Sequence, residues 1–230
     1  AGAINNVAIP VATTCATTAA NLSVEFGNPN AAGCVVAAPQ FTYNAPTATL
    51  AAATTVDAIG PVAIPAATLA GTNLPPNATV TVRFVATTGT PYEGGSSAAA
   101  ETVGVVNATG TGIAVANVPG MALCADPSVA PLTATANLSV VLANGCVVAV
   151  ANPLTYTAPV LTQLNAAAPP LQVAAIAPPA VVTITGTNFG TLPVGTIVTV
   201  RLTAQSSIFA DGTSNTMDLG GLVAAANTVT

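Results

Sequence analysis

Histidine, lysine and tryptophan are absent from this 230-residue chain, and Arg83 and Arg201 are its only cationic side chains. Two cations cannot neutralise a run of phosphates, which excludes a nucleic-acid partner. Without histidine there is no histidine-based triad and no histidine-ligated metal. Without lysine, the lysine-to-asparagine isopeptide staples of many surface fibres cannot form. Aromatic residues make up 3% of the chain, too few to stack a sugar, so Glu93, Glu101, Asp211 and Asp218 are not read as a pair of glycosidase acids. Serine and threonine abound, yet no GxSxG elbow accompanies them. Neither an enzymatic activity nor a cofactor is expected.

Charged residues are equally scarce, at 4% against 52% hydrophobic. The longest apolar stretch, residues 166–182, nevertheless carries Pro169, Pro170, Pro178 and Pro179. A spanning helix of about 20 residues does not survive that many breaks, so no membrane span is expected. The hydrophobicity comes from alanine and valine, and threonine, asparagine, glycine and proline supply the turns. Short β-branched runs punctuated in this way predict an all-β protein.

The four cysteines form two similar pairs, Cys15 with Cys34 and Cys124 with Cys146, each about twenty residues apart. An even number with no CxxC predicts disulfides and an exported protein, extracellular or at a cell surface, and pairing within each couple is the simplest connectivity. A chain beginning Ala1-Gly2-Ala3 fits a mature form from which a leader has been removed.

The chain repeats itself. Ile9-Pro10, Cys15, Asn21-Leu22-Ser23-Val24, Cys34-Val35-Val36 and Thr42-Tyr43-Asn44-Ala45-Pro46 return as Val118-Pro119, Cys124, Asn137-Leu138-Ser139-Val140, Cys146-Val147-Val148 and Thr155-Tyr156-Thr157-Ala158-Pro159. A second motif recurs as AATLAGTNLP at 66–75 and VVTITGTNFG at 181–190, each followed by a valine-rich run, TVTVRF at 79–84 and IVTVRL at 197–202. Residues 46–157 therefore hold one whole repeat. Residues 158–230 hold the early half of another, and residues 1–45 hold a late half.

Strand, Gly-Thr-Asn corner and valine-rich strand resemble the core of the IPT/TIG family, immunoglobulin-like sandwich domains of receptors, transcription factors and bacterial surface proteins. The corner suits glycine and asparagine because both tolerate positive φ. The resemblance implies tandem immunoglobulin-like β-sandwiches, one of them split between residues 1–45 and 158–230.

Strand alternation sets Arg83 opposite the face of Val80, Val82 and Phe84, and Arg201 is its counterpart. Glu93 and Glu101 follow the first arginine, Asp211 and Asp218 the second, which predicts cross-strand ion pairs at the rim. The loop from Asp211 to Asp218 places oxygen-bearing side chains at alternate positions, as a calcium loop does, but lacks a carboxylate cluster, so a polar hairpin is the preferred reading and no metal is expected. Tyr43 and Tyr156 each precede an Ala-Pro step and read as structural. Asn21, Asn77, Asn107 and Asn137 begin sequons, which makes surface glycans a candidate partner.

Together these features predict a structural subunit of an extracellular filament, sheath or surface layer. Copies of the chain are its expected partners, joined head to tail by completion of the split sandwich. The alternatives are an adhesin or carbohydrate-binding stalk segment of a longer repeat protein, or a split domain that closes within one chain.

Overall fold

The computed structural model describes residues 8, 15–28, 31–51, 54–58, 68–92, 97–123, 133–164, 183–189, 197–203, 216–225 and 228–229. Among these there is no helix, and the protein is all-β. Four strands come first: β1 (Thr18–Ala20), β2 (Ser23–Asn28), β3 (Ala31–Ala37) and β4 (Phe41–Tyr43). Nine follow: β5 (Thr47–Thr49), β6 (Thr55–Asp57), β7 (Thr68–Thr72), β8 (Thr79–Ala86), β9 (Ala99–Val106), β10 (Gly112–Val115), β11 (Thr133–Val141), β12 (Val147–Ala151) and β13 (Leu154–Thr157). The last five are β14 (Val160–Leu164), β15 (Ile184–Thr187), β16 (Ile197–Thr203), β17 (Thr216–Ala225) and β18 (Thr228–Val229).

Strands β5 to β13 form a single sheet in the order β12-β5-β7-β10-β9-β8-β11-β13-β6. The sheet closes on itself because β12 pairs antiparallel with β11 and parallel with β5. Two face-to-face sheets were expected. The double pairing of β12 instead joins the edges that a sandwich leaves apart, giving a barrel-like ring of seven strands with β13 and β6 appended.

Alternation builds the interior. In β8, Val80, Val82, Phe84 and Ala86 are buried while Thr79, Arg83 and Val85 face out. In β11 the buried set is Ala134, Ala136, Leu138 and Val140. Leu69, Ile113, Met121, Leu154 and Tyr156 complete the fill, and every buried apolar residue among those described lies between Ala48 and Ala158. Small residues suffice because a ring of seven strands encloses a narrow interior.

The flanking strands form smaller sheets. At one side β1 pairs with β4 and β2 with β3. At the other, five strands run in the order β14-β15-β18-β17-β16. That order reproduces β5-β7-β10-β9-β8 of the closed ring, strand for strand.

Candidate functional site

The Gly-Thr-Asn corners end β7 and β15. Asn73 and Asn188 take φ values of 55° and 60°, a left-handed conformation that asparagine accepts more readily than most residues. Their amides then reach back along the chain. Asn73 Nδ2 donates to Ala45 O at 3.0 Å, and Asn188 Nδ2 donates to Ala158 O at 3.2 Å. Both carbonyls belong to the Ala-Pro steps that precede β5 and β14. The glycines serve a different need from the positive φ expected of them. A Cβ on Gly71 would stand 2.5 Å from Thr47 O and 2.6 Å from Leu74 Cδ1, and one on Gly186 would collide with Val160 O and the Phe189 ring. Close approach of the neighbouring strand, rather than turn geometry, requires them.

Arg83 and Glu101 are directly opposite on β8 and β9. Arg83 Nε donates to Glu101 Oε1 at 2.7 Å, with both side chains about half exposed. An ion pair in that setting contributes ~0–1 kcal/mol. Arg201 stands opposite Asp218 in the same register of β16 and β17. Asp218 is thus a strand residue, not part of a loop. Glu93 and Asp211 lie outside the described residues. No group of three potential metal-ligating side chains occurs among the described residues.

The cysteine pairing differs from the one expected. Cys15 is joined to Cys146, 131 positions away, with their Cα atoms 5.4 Å apart. Spacing within a repeat is uninformative here, because a disulfide needs two Cα atoms within about 7 Å and tertiary packing decides which pair meets that condition. Cys15, in a bend before β1, reaches the start of β12 in the closed ring. The Cys15–Cys34 and Cys124–Cys146 pairs are therefore replaced by a bond between the split repeat and the whole one. Cys34 itself lies on β3 opposite Phe26, and Cys124 falls outside the described residues.

Tyr156 is buried and edge-on to Tyr92, with ring centres 6.2 Å apart. Its hydroxyl donates to Pro119 O at 3.1 Å, and burial holds its phenol far above the ordinary range. Tyr92, which no sequence feature singled out, is buried without a well-formed hydrogen bond at its hydroxyl. Burial pushes its pKa up to about 12. Tyr43, the counterpart of Tyr156, is half-buried and packs edge-on against Phe41. The four sequon asparagines are all exposed, but Asn107 Oδ1 accepts from Thr111 N and Thr109 Oγ1, which ties its side chain to its own loop.

The chemically distinctive surface is the flanking pair of partial sheets. Hairpin β2–β3 pairs Val24 with Val36, as β11–β12 pairs Val140 with Val148. Strands β1 and β4 pair Thr18 with Tyr43, as β11 and β13 pair Ala134 with Tyr156. Registers agree while burial does not. Leu22 is 49% exposed and Leu138 5%; Val36 is 49% exposed and Val148 6%. By contrast Val35 and its counterpart Val147, which face out of the ring, are exposed alike at 61% and 53%. On the other side Leu161 is exposed where Ala48 is buried, and Ile184 and Val200 are half-buried where Leu69 and Val82 are fully buried. The residues that line the ring in one repeat are thus exposed or only half-buried in the other.

No family model matches the chain, and no curated protein does. Among solved structures it is similar to one described as the crystal structure of a tetra-tandem repeat in the extending region of a large adhesion protein. The identity is 12% and the TM-score 0.28, and the match covers 80% of this chain and 39% of that one.

Proposed function

We propose that this chain is a structural subunit of an extracellular filament, sheath or surface layer, built from repeats that resemble IPT/TIG units in their Gly-Thr-Asn corners and valine-rich strands but, in the whole repeat, close into a ring. Its copies associate head to tail, with the late strands of one completing the early strands of the next. The observation that carries this reading is the selective exposure just described, since positions that face inward in the whole repeat are uncovered in the divided one. An apolar face with open strand edges recruits a strand from elsewhere. A head-to-tail contact that does not close generates a filament. Supporting it are the near absence of charge and an outer wall that presents Val103, Val105 and Val147, both suited to packing against like surfaces. The Cys15–Cys146 bond suits an oxidising compartment. Negative-stain microscopy of the purified chain tests the proposal: filaments are expected, and a field of isolated short rods at high protein concentration overturns it.

A further inference from the structure

The closed ring shows how a hairpin equivalent to β2–β3 is seated. There β11 runs antiparallel to β8, with Val140 opposite Val82 and Ser139 opposite Arg83. Its partner β12 runs parallel to β5, with Val150 opposite Ala48. In the five-stranded sheet the counterparts of β8 and β5 are β16 and β14, and these are the two edge strands, each paired on one side among the described residues. In the ring the gap between the corresponding edges, β8 and β5, is filled by β11–β12.

We infer that β2–β3 of one copy inserts between β16 and β14 of a second copy, antiparallel to β16 and parallel to β14, placing Val24 opposite Val200, Ser23 opposite Arg201 and Ala38 opposite Leu161. This inference rests on the filament reading and specifies its contact. Leu22, Val24 and Val36 then turn inward, and Val35 stays on the outer face as Val147 does. Glu25 stands diagonal to Arg201 on that outer face, a separation across which opposite charges on a sheet attract.

Chain connections favour a second copy over the same one. The segment leading into β5 arrives at Thr47, near the end of the ring that holds Cys146, and Cys15 is bonded there too. Strand β14 leaves from the opposite end, because Thr157 pairs with Thr133 at the far end of β11. Six residue steps along β11, from Ser139 at the level of Thr47 to Thr133, separate the two levels, about 20 Å at 3.3 Å per residue. The hairpin and its gap are thus tied to opposite ends of the ring, the polarity that head-to-tail joining needs.

The test uses two variants of the full chain. Val24→Asp spoils the inserting hairpin and leaves the gap intact; Val200→Asp does the reverse. By light scattering each alone should run as a single 22.1 kDa chain, while an equimolar mixture should double in mass and grow no further. Val35→Asp, on the outer face, should assemble as the unaltered chain does. A mixture that stays at single mass overturns the inference, for it means the gap is filled by the chain's own hairpin or by another segment. So does a Val35→Asp protein as defective as Val24→Asp. If Val24→Asp still forms filaments, the filament reading stands and this contact falls. If the unaltered chain forms closed pairs while the mixture still doubles in mass, the contact stands and the filament reading falls.

Discussion

The closed ring and the divided repeat share the same motifs, folded under different circumstances. β11–β12 and β2–β3 share their pairing register, as do β8–β9 and β16–β17 around the arginine. Pairing register is therefore a local property of the repeat, whereas the continuity of β11 is not: its counterpart is interrupted between β1 and β2, which lie in separate two-stranded sheets. Nor is burial local. Leu138 is enclosed because it lies within β11 opposite Phe84 of β8, and Leu22, its counterpart in the break between β1 and β2, is open. A hairpin gains little from its own pairing, and the stabilisation of such strands comes from covering the apolar face.

The strongest way to break the comparison is to cut the one covalent bond between the two regions. In a chain-entropy estimate, a bond closing a loop of 131 residues contributes up to about 5 kcal/mol. A Cys15→Ser protein should lose a large part of that in urea unfolding, and non-reducing peptide mapping of the unaltered chain should recover the Cys15 and Cys146 peptides linked. Recovery of a Cys15–Cys34 peptide instead would restore the within-repeat pairing. Next in size is a matched truncation. Leu138→Ala should cost about 2–5 kcal/mol, as for a buried leucine that leaves a cavity. Leu22→Ala in unassembled protein should stay within ~0.5 kcal/mol, the range of surface changes. Equal losses at the two sites would mean that Leu22 is enclosed in solution and that the regions do not differ as described.

Much of this was legible in the sequence, for reasons that differ from residue to residue. The valine-rich strands announce themselves by alternation, and Asn73 and Asn188 by a corner that few other residues make. Repetition aligns Leu22 with Leu138, so the correspondence between β2–β3 and β11–β12 could be read before any coordinates. Closure of the ring could not. It depends on β12 pairing with both β11 and β5, a contact between residues about a hundred positions apart that leaves no local trace. The Cys15–Cys146 bond escaped for the same reason, since similar spacings within each repeat pointed to the wrong partners. Tyr92 escaped because it lies outside every repeated motif, and its edge-on contact with Tyr156 joins residues far apart in sequence.

The smallest expected effect concerns the feature that the two regions share most closely. Arg83 and Glu101 meet at 2.7 Å, and Arg201 faces Asp218 in the same register, so it is tempting to assign the arginine a stabilising role. The surroundings argue otherwise. Both side chains of the first pair are about half exposed, so water solvates them in the folded and unfolded states alike, and holding two long side chains in one geometry costs rotamer entropy. An Arg83→Ala protein should therefore unfold within about 1 kcal/mol of the unaltered chain, and that small difference should shrink further in 0.5 M salt, where screening shortens the reach of exposed charges. A loss of several kcal/mol that salt does not touch would be the mark of a buried charge left without its partner. It would place the outer face of β8 inside a contact rather than on the wall of the ring, and the contrast between inward and outward positions, on which the seating of β2–β3 depends, would have to be redrawn.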